Sequence, residues 1–142
     1  MTATVRADQI TITDNDCRRL GSMLQSRIAF EMGDRRQLDD LESKLEQAQV
    51  VPPEKAPRDL VTMNSVVRLR DLDTDEPEVY RLVYPHEAKI ADQRLSVLAP
   101  VGSAILGRAE GSVVEWPVPS GLCRLRIDEV VYQPEREGAF DL

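Results

Sequence analysis

Residues 95–107 read Leu95-Ser-Val-Leu-Ala-Pro-Val-Gly-Ser-Ala-Ile-Leu-Gly107, and this run decides the fold. Leu95, Val97 and Leu98 suit a short strand. Pro100 suits the first turn of a helix, where its missing N–H has no intrahelical partner to lose. Gly107 suits the residue just past a helix end, where the backbone turns left-handed. The run therefore predicts a strand at 95–98, a tight turn, and a short helix at 100–106 closed by Gly107.

On either side the periodicity is near two. Residues 66–72 and 78–84 upstream, and 112–117 and 123–132 downstream, read as strands, with a turn around Ser120-Gly121. In the last of these Leu125 and Ile127 alternate, and then Val130 and Tyr132 continue in the opposite phase. An extra residue near Asp128-Glu129, a β-bulge, accounts for the slip. This half is expected to be a mainly antiparallel β domain with one inserted helix.

Further upstream the period changes to that of a helix. Thr13 is placed to cap a helix whose first turn holds Asp14 and Asp16, acidic groups that suit the helix dipole. Cys17, Leu20, Leu24, Ile28 and Met32 make an apolar stripe, widened by Met23 and Phe30, with Gly21 as a weak point. Gly33 suits a helix end and Asp34 a restart, with Leu38, Leu41, Leu45 and Ala48 on the second stripe. Two amphipathic helices joined by so short a turn run antiparallel. Pro52, Pro53 and Pro57 then prevent the helix from continuing. The predicted class is α+β: a short helical hairpin or coiled coil at 1–51, a Pro-rich linker at 52–57, and a β domain at 58–142. The β domain is expected to fold alone, the hairpin adding a separate apolar seam.

Composition narrows the function. Eighteen basic residues stand against twenty-five acidic ones, a formal charge of -7, with no basic stripe along the chain. Binding to free nucleic acid rests on Lys and Arg neutralising phosphates, so autonomous nucleic-acid binding is not expected. Docking to a basic protein surface suits the charge better. Aromatics form only 4% of the chain, too few for an aromatic-lined pocket. The amino terminus lacks the apolar core of a leader, and no run reaches the roughly 18 apolar residues of a membrane span. Cys17 and Cys123 stand apart without metal-ligand spacing. A soluble cytoplasmic protein is expected.

Candidate chemistry is sparse. His86 is the only histidine, which removes a histidine-based nucleophile relay or a multi-histidine metal centre. Asp71-x-Asp73-x-Asp75 opens like a calcium loop, but Glu76 stands where the loop needs Gly and Leu82 where it needs Glu. A solvated acidic turn is the expected reading. Glu31, Asp34, Asp39 and Asp40 gather near the hairpin tip, where paired carboxylates can hold magnesium. Arg35 and Arg36 beside them favour structural use. No serine elbow or phosphate loop is present, and no catalytic residue, metal ligand or cofactor site is assigned.

Three stretches carry a family resemblance: Val61-Thr-Met-Asn-Ser65 with Val67-Arg-Leu69, Tyr80-Arg-Leu-Val-Tyr-Pro85, and above all residues 95–107. Gly111-Ser-Val-Val-Glu-Trp116 and the strand ending at Tyr132 continue it. Together they resemble the regulators of nucleoside diphosphate kinase, a branch of the Gre-factor superfamily of transcription proteins. The resemblance is strong over about residues 57–134 and looser over the hairpin.

The resemblance implies an FKBP-like β domain behind a coiled coil, and docking at the secondary-channel rim of bacterial RNA polymerase. The docking residues it implies are Leu98, Ala99, Pro100 and Val101. Gre factors usually carry an acidic or amide residue and then Ser before that Pro, so a more apolar contact is implied here. At the tip, Gre factors present Asp-x-x-Glu to help hold a second magnesium. Here Asp34 is followed by Gln37, and an uncharged amide is a weak ligand for a hard cation. Gre arms are also about twice as long, a deficit on the order of 20 Å at 1.5 Å per residue. The reading is a polymerase-binding accessory protein that competes with Gre factors without stimulating transcript cleavage, and not an enzyme. The rivals are a Gre-like cleavage factor and, from the FKBP-like fold alone, a prolyl isomerase. The family name adds a link to nucleoside diphosphate kinase that no residue displays.

Overall fold

A computed structural model describes residues 10–25 and 35–139. Strand β1 (Thr11–Thr13) leads into helix α1 (Asp14–Gln25), and helix α2 (Arg35–Gln47) runs into strand β2 (Gln49–Val51). Then follow β3 (Val66–Asp71), β4 (Pro77–Val83), β5 (Arg94–Ser96), helix α3 (Pro100–Ile105), β6 (Val113–Val118) and β7 (Gly121–Tyr132). The class is α+β. Both expected helices before the linker, the five strands and the inserted helix are present, and every end that falls within the described residues lies within a residue or two of its predicted place; the predicted carboxyl end of the first helix lies outside them. Ile28, Phe30, Met32 and Gly33, which the hairpin reading used, lie outside the described residues.

The five strands form one mixed sheet in the order β5-β4-β3-β7-β6. Every neighbouring pair is antiparallel except β4 with β5, which is parallel. The bulge lies where the phase slip put it: Leu69 faces Ile127 while Arg68 faces Glu129, leaving Asp128 as the extra residue. A second shift sets Val66 against Tyr132 and Val67 against Val130, so Val131 is displaced and 45% exposed.

Pairing β1 with β2 in parallel, Thr11 to Gln49 and Thr13 to Val51, zips the base of the hairpin. Three-residue strands leave too short a period to read in sequence. The zipped base is seated on the β part: Thr11 donates its N–H to the Gly107 carbonyl at 3.1 Å, and Gly107 donates to Val61 O at 3.0 Å. Gly107 has φ +81°, and a Cβ there would lie 2.6 Å from Ile10 Cγ2. Glycine is needed on both counts.

The apolar seam of the hairpin is not separate. Ile12, Leu20, Leu38 and Leu41 are buried in one continuous cluster with Val67, Leu69, Leu82, Ile105, Leu106 and Ile127. The reason is geometric: α2 packs on α3, and the paired β1 and β2 hold α1 beside α2. Among the described residues no helix is long and apolar enough to cross a membrane.

Candidate docking site and hairpin junction

Ser96 organises the turn before α3. Its Oγ accepts the Leu98 N–H at 3.0 Å and its carbonyl accepts the Ala99 N–H at 3.1 Å. Pro100 opens the helix. A Cβ on Gly102 would lie 2.0 Å from the Ser96 carbonyl oxygen, so only glycine lets α3 sit this close to β5. The segment is a rigid knuckle.

Its four predicted docking residues do not share one fate. Pro100 is exposed, and Ala99 and Val101 are half-buried. Leu98 is 3% exposed and belongs to the core. Strand alternation ends at Ser96, and in the turn Val97 and Leu98 both point inward. Leu98 therefore supports the knuckle from below, and the surface on offer is Pro100 flanked by Ala99 and Val101.

At the hairpin tip, Asp34 and Glu31 lie outside the described residues. Gln37 is half-buried in the first turn of α2, and Asp39 and Asp40 are exposed. Asp39 stands 3.9 Å from Arg35 as an ordinary surface pair. The acidic turn after β3 is also internally engaged. Asp71 Oδ1 accepts the N–H groups of Asp73 and Thr74, Asp73 faces Arg124, and Asp75 faces Arg70. Among the described residues no group of three or more His, Cys, Asp or Glu is placed to hold a metal ion. His86 is exposed in a single 3-10 turn (Pro85–Glu87), and its ring stacks on Tyr84 with centroids 6.3 Å apart.

Folding does create a basic row that the linear sequence hides. Arg68 and Arg70 of β3 and Arg124 and Arg126 of β7 alternate with inward Val67, Leu69, Leu125 and Ile127, so they share the outer sheet face. Carboxylates neutralise them: Arg68 meets Glu129, and Arg70 and Arg126 both meet Asp128, each at 2.8 Å. Two guanidinium donors hold Asp128 below the usual carboxylate range. A phosphate backbone would have to compete with these carboxylates for the same donors.

The polar centre of the molecule lies elsewhere. Thr13 Oγ1 accepts the Asp16 N–H at 3.2 Å, the cap expected for α1. The Asp16 carboxylate does not stay at the helix end. It is 1% exposed, and Oδ2 accepts the Met63 N–H at 3.0 Å, tying α1 to the loop before β3. Burial pushes its carboxyl up to about 7, and nearby Glu135 adds to the rise against the Met63 bond and Arg19. Within that loop Asn64 takes φ 67°, and Ser65 Oγ accepts the Thr62 N–H at 2.9 Å. Thr62 Oγ1 donates to Glu135 Oε1 at 2.7 Å. Burial next to Asp16 also raises the Tyr84 phenol well above its ordinary value. These contacts form a closed junction that holds the hairpin to the loop before β3.

The comparisons agree with this architecture. A family model described as transcription elongation factor GreA/GreB, C-terminal, matches residues 56–132. A regulator of nucleoside diphosphate kinase from Escherichia coli K12 is 43% identical over 103 residues, covering 72% of this chain and 76% of that one. GreA from a Psychrobacter species is 37% identical over 95 residues, covering 66% of this chain and 60% of that one. A solved GreA/GreB elongation factor from Nitrosomonas europaea superposes with a TM-score of 0.71 at 42% identity, over 87% of this chain and all of that one. With a family model matching residues 56–132 and a relative 43% identical over most of both chains, the chain belongs to the GreA/GreB family of transcription elongation factors, in the branch of the regulators of nucleoside diphosphate kinase.

Proposed function

We propose that this protein is an accessory factor of bacterial RNA polymerase that docks at the rim of the secondary channel, sets its hairpin into the entrance, and competes with Gre factors without stimulating transcript cleavage. The observation that carries the reading is the knuckle at 96–102. Pro100 projects from a turn made rigid by Ser96 and Gly102, at the position the family resemblance gives to docking. Residues 58–142 supply the docking domain, of the FKBP-like type, and 1–51 the coiled-coil plug. The lack of cleavage follows from Gln37, an amide where a second carboxylate is needed. It follows also from arm length, since α2 holds 13 residues, or about 20 Å at 1.5 Å per residue. The regulator name of the relatives suits an effect on gene expression that changes kinase levels indirectly.

The test is a binding assay with purified polymerase and a Pro100→Glu variant. A carboxylate in the first helical turn suits the dipole and leaves the fold intact, while adding charge to an apolar contact. Binding that falls at least about tenfold, a loss of about 1.4 kcal/mol, with an unchanged melting curve is expected. Equal binding of both proteins would move the interface elsewhere.

A further inference from the structure

The same six-residue helix that presents Pro100 at one end is gripped by the hairpin at the other. The last carbonyls of a helix have no intrahelical donors. In α3 Gly102 O takes the Leu106 N–H and Ile105 O takes the Arg108 N–H. Ser103, Ala104 and Leu106 present their carbonyls to Lys44 Nζ of α2, at 2.5, 3.1 and 2.8 Å. An ammonium has three protons, and all three are used.

Lys44 belongs to the apolar face of α2, between Leu41 and Leu45, and α2 packs on α3 there. Burial and the neighbouring Arg108 push its amine down to about 7, while the negative end of the helix favours the ammonium. An apolar side chain of the same length would fill this site without desolvating a charge. What it would lose is direction, because three donors on three fixed acceptors define one register of α2 against α3. Fixing register at some cost in stability is the best attested use of a buried charge.

We propose that Lys44 is a positioning residue that couples the docking knuckle to the hairpin, so that a load on the amino end of α3 reaches the pose of α2. The coupling element is short and stiff. Six residues span about 9 Å, and Gly102 is flush against Ser96 O, so α3 moves as a block. Asp16 ties the other arm to Met63, whereas α2 is tied to α3 itself through Lys44. The role assigned to the knuckle rests on the docking reading above, whereas the mechanical link is measurable without polymerase.

Spin labels at Asp40 and Leu122, both exposed, with Cys17 and Cys123 changed to serine, report the distance from the hairpin to the sheet. The unmodified pose is expected to give one narrow distribution. Lys44→Met keeps the stem and loses the donors, and should broaden the distribution or shift it by several ångströms while the melt stays cooperative. If Lys44→Met does not fold, Lys44→Arg takes its place, since a planar fork cannot match three convergent carbonyls. Pro100→Gly, which loosens the other end of α3, should broaden the distribution when Lys44 is present and add nothing in the Lys44 variant. An unchanged distribution in the Lys44 variant, or equal broadening by Pro100→Gly in both backgrounds, overturns the coupling. Failure of the intact protein to bind polymerase overturns the docking reading and leaves these distances to decide the link.

Discussion

Replacing Asp16 by asparagine isolates the buried carboxyl that ties α1 to the β part. The side-chain oxygen still accepts the Met63 N–H, and the volume barely changes, so the substitution removes mainly the titration. A carboxyl raised from 3.8 to about 7 by folding is stabilised in its neutral form. Its contribution to stability is therefore complete below about pH 4 and is lost as pH rises through about 7. Between pH 5 and pH 7 the loss is roughly 1.7 decades in the folding constant, or about 2 kcal/mol. The Tyr84 phenol that faces it is raised by burial and stays neutral across that window. Lys44 has the opposite sign, its contribution present above about pH 10 and lost as pH falls through about 7, so it changes little below pH 7. Urea midpoints at the two pH values measure the slope. The unmodified protein should lose about 2 kcal/mol on going from pH 5 to pH 7, and Asp16→Asn should be nearly flat. Equal slopes for the two proteins would show that Asp16 ionises freely, and the closed junction described above would be wrong.

Three further substitutions probe the frame around the site. Gly102→Ala places a methyl 2.0 Å from the Ser96 carbonyl oxygen, so α3 must lift from β5 at a cost of about 3 kcal/mol, seen in chemical denaturation together with weakened polymerase binding. Leu98→Asp buries a charge in the core and should cost more than about 4 kcal/mol, so circular dichroism should report unfolding; a native spectrum would place Leu98 at the surface after all. Gly21→Ala lies within α1, where an added Cβ meets nothing within 4 Å, and should stabilise by about 1 kcal/mol, read as a rise in melting temperature.

Much of this architecture is visible in residue order because it rests on local chemistry. Pro100 and Gly107 bracket α3, Thr13 caps α1, and the phase change from Ile127 to Val130 announces the bulge at Asp128. What stays hidden depends on contacts between distant segments. Asp16 looks like an ordinary first-turn acid, and only the approach of Met63, 47 residues away, makes it a buried anchor. Leu98 and Pro100 are two residues apart with opposite fates, since a turn gives no periodicity from which burial can be read. Lys44 did leave a trace. It falls at the i+3 position from Leu41 on the apolar stripe, where a lysine needs an explanation. The arginine row of the outer face arises only when β3 and β7 align.

The central claim is that the protein occupies the Gre site on polymerase without Gre chemistry. The most direct measurement is transcript cleavage in backtracked elongation complexes, with a fixed amount of a Gre factor and increasing amounts of this protein. The account predicts no cleavage by the protein alone, and a progressive slowing of Gre-dependent cleavage that excess Gre factor reverses. Gre-dependent cleavage that stays unchanged at micromolar concentrations, or cleavage by the protein itself that Asp34→Ala abolishes, would contradict it.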